Sequence, residues 1–97
     1  MKTKLIKSKR IKMNDELEDF EVNDRKSFAQ FVNLLHKDLV EKPEDWENIN
    51  LSDFLSALSA YAEDIQGYYN NMRINLDADK PNWKTFADIL MGARIYE

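Results

Sequence analysis

The side chains able to do chemistry are few, and their spacing is poor for it. The one histidine, His36, falls about 100° around a helix from Leu35, at the edge of an apolar stripe, and reads as a partly exposed structural residue. Nucleophilic catalysis of the Ser-His-Asp or Cys-His kind needs a nucleophile and an orienting group beside the base; no local pattern nominates either, and cysteine is absent. Gly67 and Gly92 stand too far apart to cradle a phosphate. Asp77-x-Asp79 with Asp88 at the twelfth position has the outline of a calcium loop. Pro81 and Asn82 then fill the fifth and sixth positions, where an oxygen donor and a glycine belong, so the segment reads as a solvated turn running into a helix. The carboxylates Glu44-Asp45-Glu47 and Glu63-Asp64 would suit acid–base work only if other groups converged on them, because adjacent residues on a helix do not face each other. The sequence therefore assigns no catalytic, cofactor-binding or metal-ligating residue, and no cofactor.

What such carboxylates can do is attract. Residues 1–12 carry six basic side chains (Lys2, Lys4, Lys7, Lys9, Arg10, Lys12) and no acid, which leaves residues 13–97 with 8 basic against 18 acidic groups, a net of −10 beneath an overall −4. A body of that sign repels nucleic acid and draws in a basic protein partner. The basic arm has phosphate-binding charge but no aromatic residue for base stacking, so nucleic acid is not the expected ligand. Asp45, Glu47, Glu63, Asp64 and Tyr68 are the candidate partner-binding residues. The length of 97 residues suits one domain. No apolar run approaches the ~18 residues of a membrane span, and the basic start lacks the apolar core of a signal peptide. A cytoplasmic protein with no membrane partner is expected, in keeping with the lack of cysteine.

The elements that position these groups are helical by their periodicity. Leu51 to Met72 places Leu51, Phe54, Leu55, Leu58, Tyr61, Ala62, Ile65, Tyr68, Tyr69 and Met72 on one face about 140° wide, broader than one neighbour needs, which predicts packing partners on both sides. Phe28, Phe31, Val32, Leu35 and Leu39 give a second stripe over about 25–41, with Asn23 or Asp24 as N-cap and Pro43 as its stop. Trp83, Phe86, Ala87, Leu90 and Ala93 give a third over about 81–96, its boundary at Asp79 or Lys80. Asn50 caps the long helix with Asp53 at its third position, and Trp46 plugs the gap between the first two helices. The fold expected is all-α: a small antiparallel three-helix domain over 13–97, the long helix in the middle, with a basic N-terminal arm over 1–12 that is either disordered or a short strand. Met13 is an alternative biological start. Opposite the long stripe lie Ser52, Ser56, Ala60 and Gly67, small residues on a face nearly free of charge. Either the arm or the connection after the helix covers that face, or Ser56, Ala60 and Gly67 form an association surface.

From Trp46 onward the chain carries Trp46-Glu47-Asn48, Leu51-x2-Phe54-Leu55, Tyr68-Tyr69-x-Asn71 and Pro81-x-Trp83-x2-Phe86-Ala87-x2-Leu90-x2-Ala93-x2-Tyr96-Glu97. In these residues it resembles an uncharacterised family of small bacterial proteins, a domain of unknown function, and Phe28, Phe31 and Leu35 fit that family's preceding helix. The resemblance covers about residues 24–97 and implies a small stand-alone helical domain without implying any catalytic residue.

The expected function is that of a non-enzymatic acidic binding protein, in its specific form an immunity or antitoxin-like inhibitor of a basic target. The alternative is a structural or regulatory homo-oligomer, in which the basic arm of one chain lies on the acidic body of another and the low-charge face of the long helix contributes.

Overall fold

A computed structural model describes residues 16–97, so the expectations for the basic arm and for Met13 lie outside the described residues. One helical turn over 16–19 leads into α1 (Arg25–Glu41), α2 (Leu51–Asn71) and α3 (Trp83–Ala93), with a 3-10 turn at Pro43–Asp45 between the first two helices. There is no strand among the described residues.

Each helix begins where a short polar side chain can satisfy an orphan backbone donor. At α1 the arrangement is reciprocal: the Ser27 N–H donates to Asp24 Oδ1 at 2.8 Å, while Ser27 Oγ accepts from the Asp24 N–H at 3.0 Å. Asn50 accepts from the Asp53 N–H at 2.8 Å to start α2. α3 starts later than the sequence suggested, because Asn82 and not Asp79 or Lys80 makes the cap, accepting from the Thr85 N–H at 2.8 Å. Asp77 instead closes the preceding turn by accepting from the Asp79 N–H at 2.9 Å. α2 is terminated by Arg73, whose φ of 58° puts it in the left-handed region and turns the chain so that the Ile74 N–H reaches the Tyr69 carbonyl at 2.8 Å.

The short helix α3, not the long α2, occupies the middle. It packs against both other helices, while no Cα of α1 comes within 8 Å of one in α2. On one side Leu17, Val22, Phe31, Leu35 and Ala87 form a buried cluster, flanked by a Phe28–Trp83 ring contact at 5.3 Å. On the other, Tyr69 of α2 is fully buried and hydrogen-bonds to Thr85 of α3. The expected two-sided burial of α2 fails for a physical reason. Ala87, Gly92 and Ala93 make α3 slim enough to be approached closely from two directions, which leaves α2 with one helical neighbour among the described residues. Its packed face centres on Ala57, Ile65 and Tyr69; Leu55, on one flank of the predicted stripe, is 53 % exposed, while Leu51 and Met72 share the packed face but stand at the two ends of the helix and are 71 % and 58 % exposed.

Candidate functional site

α1, the 46–48 connection and the chain after α3 meet at a polar clamp. The Trp46 indole N–H donates to Asp38 Oδ2 at 2.8 Å, and Arg94 Nη1 reaches the same oxygen at 3.4 Å. Asp38 is buried, so both donors compensate a carboxylate that would be costly alone. The Arg94 guanidinium sits 5.9 Å from the Trp46 ring centroid and also donates through Nε to the Met91 carbonyl at 2.8 Å. The Arg94 carbonyl in turn accepts from the Glu47 and Asn48 N–H groups at 2.9 and 3.0 Å. Trp46 thus fills the α1–α2 gap as its size suggested, stacking on Phe54 at 6.0 Å.

Asn48 extends the clamp. Its Nδ2 donates to the Ala93 and Tyr96 carbonyls, both at 2.9 Å, closing the end of α3 where backbone acceptors lack helical partners. These bonds hold the 96–97 segment across the α2 face bearing Ser56 and Ala60. The result is a cleft of about 400 Å³ lined by Glu47, Asn48, Asp53, Ser56, Ala60 and Tyr96, with Ala57 in its floor and Glu97 at its edge. Among the described residues that line it three are acidic and none is basic.

Tyrosines brace the same region. The Tyr96 hydroxyl donates to Asp64, and that bond is the main reason its phenol is held above the usual range. The Tyr61 ring packs 4.9 Å from that of Tyr96 and lies where a Cβ on Gly92 would stand. Deeper in, the Tyr69 hydroxyl bonds to Asp88 Oδ2 at 2.7 Å and Thr85 Oγ1 at 3.2 Å; burial drives its phenol well above the ordinary value, and Asp88 adds to this while Thr85 opposes it. Asp88 also pairs with Lys84 at 2.9 Å, so it serves the α2–α3 interface and no calcium loop. Among the described residues no group of three or more His, Cys, Asp or Glu side chains is placed to hold a metal ion, and no helix is long and apolar enough to cross a membrane.

The residues singled out from sequence are distributed as follows. Glu47, Ser56 and Ala60 come together in the cleft; Asp64 stands nearby as the acceptor for Tyr96. Asp45 lies half-buried in the 3-10 turn, Glu63 is exposed, and Tyr68 is 42 % exposed beside the Tyr61 and Tyr69 rings. Gly67 faces open space, with nothing within 4 Å of a built Cβ, so it does not share the cleft. The 96–97 segment runs beside the part of the small-residue face that bears Ser56 and Ala60; the arm expected as a cover lies outside the described residues. His36 is exposed. Asn48 and Arg94 were missed as organising residues; the signal for Asn48 was its place in the Trp46-Glu47-Asn48 run that carries the family resemblance.

A small domain, helical and without strand among the described residues, closed by a clamp of Trp46 and Arg94 on the buried Asp38, is the class that this geometry defines. The chain belongs to a family of unknown function, DUF7660, whose model matches residues 24–97. Comparison with curated proteins and with solved structures gave no match.

Proposed function

We propose that the protein is a non-enzymatic binding module whose acidic cleft receives a basic side chain of a protein partner. One observation carries the reading: Glu47, Asp53 and Glu97 line a single cleft with no basic residue among the described residues of its lining, over a floor of small side chains that leaves room for a long cationic one. The surface around it has the same sign. Among the described residues only Asp38 and Asp88 form ion pairs, so carboxylates such as Glu44 and Glu63 are free to steer a cation inward. The scaffold is read as an antiparallel three-helix domain with a basic arm over 1–12, in a bacterial cytoplasmic protein, and the Trp46 to Glu97 pattern is read as the family's signature. The specific role that fits is inhibition of a basic enzyme, as immunity proteins and antitoxins do. Affinity capture from the native host, washed at moderate salt, tests it. A basic protein retained by the wild-type chain and released at high salt is expected; repeated failure to retain any basic protein contradicts it.

A further inference from the structure

Along α2, Leu51, Leu55, Leu58, Ala62, Ile65 and Tyr69 follow one another at alternating steps of four and three, the spacing of a coiled-coil seam. α3, the one helix among the described residues that packs on α2, covers only the later part. Ile65 and Tyr69 are buried, whereas Leu51, Leu55 and Ala62 are exposed and Leu58 is half-buried. Such a repeat drifts by about 20° per seven residues on a straight helix, and here the drift carries the seam away from the packed face toward the start of α2. The open part is uncharged. Asp53, Glu63 and Asp64, the charged residues of α2, lie about 120° or more around the helix from Leu51, as do Ser56 and Ala60 of the acidic cleft.

The occupant that suits this strip is a second copy of the chain. Residues 13–97 carry a net charge of −10, so two copies repel over most of their surface and can meet only where charge is missing. The strip is also self-complementary. We propose that two copies of α2 pair antiparallel across it, about a two-fold axis level with residues 56–57, with Leu51 against Ala62 of the partner subunit and Leu55 against Leu58 of the partner subunit. Each leucine at one end thereby faces a small residue, as interdigitating seams require. The same register sets Asp53 level with Ala60 of the partner subunit and Glu63 level with Asn50 of the partner subunit, so no acid of α2 meets another. Parallel pairing would place each acid beside its own copy. From Leu51 to Ala62 the seam runs about 16 Å, short beside a standard interface of about 800 Å² per partner, which makes the dimer weak and reversible. The proposal does not depend on what the acidic cleft binds. A dimer of this form turns two such clefts outward and doubles the valency toward a basic partner.

Sedimentation equilibrium of the full chain from about 10 μM to about 1 mM should show a monomer–dimer exchange that strengthens as salt screens the acidic bodies. Leu51→Glu/Leu55→Glu should weaken it by at least about tenfold, while Val40→Glu, at an apolar site on α1 that is 66 % exposed, should leave it unchanged. The chain has no cysteine of its own, so the register can be read from a mixture of Leu51→Cys and Ala62→Cys chains. On oxidation the mixed disulfide should form in preference to either symmetric one. A monomer throughout the range overturns the proposal, leaving the strip to the rest of the chain or to water. Undiminished association of Leu51→Glu/Leu55→Glu overturns it, as does a preference for symmetric disulfides. Association that weakens as salt rises overturns it too, by assigning the contact to opposite charges.

Discussion

The Trp46 indole N–H and Asp38 Oδ2 meet at 2.8 Å, and this contact joins α1 to the connection that carries Glu47 and Asn48 toward the acidic cleft. Arg94 completes the arrangement from the other end of the chain. The cleft is thus held by bonds to residues that do not themselves face a partner.

Removing that carboxylate should therefore cost far more than removing an exposed one. Asp38→Ala leaves the Trp46 donor and the largely buried Arg94 charge without their partner and should lower stability by about 3 kcal/mol. The exposed Glu41→Ala should change it by less than about 0.5 kcal/mol. Urea denaturation followed by tryptophan fluorescence compares them; equal midpoints would remove the clamp from the account.

The two glycines should respond to alanine with opposite signs. Gly67→Ala adds a methyl group in open space within a helix and should stabilise by about 0.5 to 1 kcal/mol. Gly92→Ala places its methyl group against the Tyr61 ring, closer than the ring can tolerate without moving, and should destabilise by about 1 to 3 kcal/mol. Thermal unfolding of the pair is the check, and the same sign for both would contradict the packing described.

Along α2, burial and not apolar character should set the cost of truncation. Ile65→Ala, at a site only 1 % exposed, should lose about 2 to 5 kcal/mol. Leu55→Ala, 53 % exposed, should lose less than about 0.5 kcal/mol. A comparable loss at Leu55 in denaturant titrations would mean that a neighbour covers it.

Stability should decline at both pH extremes through identifiable groups. The Ser27 N–H, followed by its hydroxyl, holds the Asp24 carboxyl below its ordinary 3.8, so this contribution is complete above pH 3.8 and is lost as pH falls through the lowered folded value. Burial raises the Tyr69 phenol above its ordinary 10.0, so its contribution is complete below pH 10 and is lost as pH rises through the raised folded value. Denaturant midpoints across pH should fall off on these sides, and Tyr69→Phe should flatten the alkaline limb.

How much of this was legible in the sequence depends on the range of the interaction concerned. Asp24 and Asn50 could be read as caps because the donors they satisfy lie three residues away. The helical character of 51–71 followed from spacing, but spacing could not say which flank of a broad stripe lacks a neighbour or how far toward its ends the helix is packed, so Leu55 on the flank and Leu51 in the first turn were placed inside. The middle position of α3 depends on its slimness relative to helices far off in sequence. Asn48 binds the Ala93 carbonyl 45 residues away and Gly92 yields space to Tyr61; neither partner is visible from local pattern. Of the candidate site, the acidic residues were evident from charge, and their convergence on Ser56 and Ala60 was not.

The most direct test of the acidic cleft uses a purified basic protein captured by the wild-type chain. Its affinity should be measured by calorimetry at two salt concentrations, for the wild type and for Glu47→Lys/Asp53→Lys, a pair of exposed positions. The account predicts at least a tenfold loss of affinity in the variant, about 1.4 kcal/mol, with a shallower salt dependence and a loss of stability no larger than the roughly 1 kcal/mol that a reversed charge in the first turn of α2 costs. Equal affinity and equal salt dependence for both chains would contradict it.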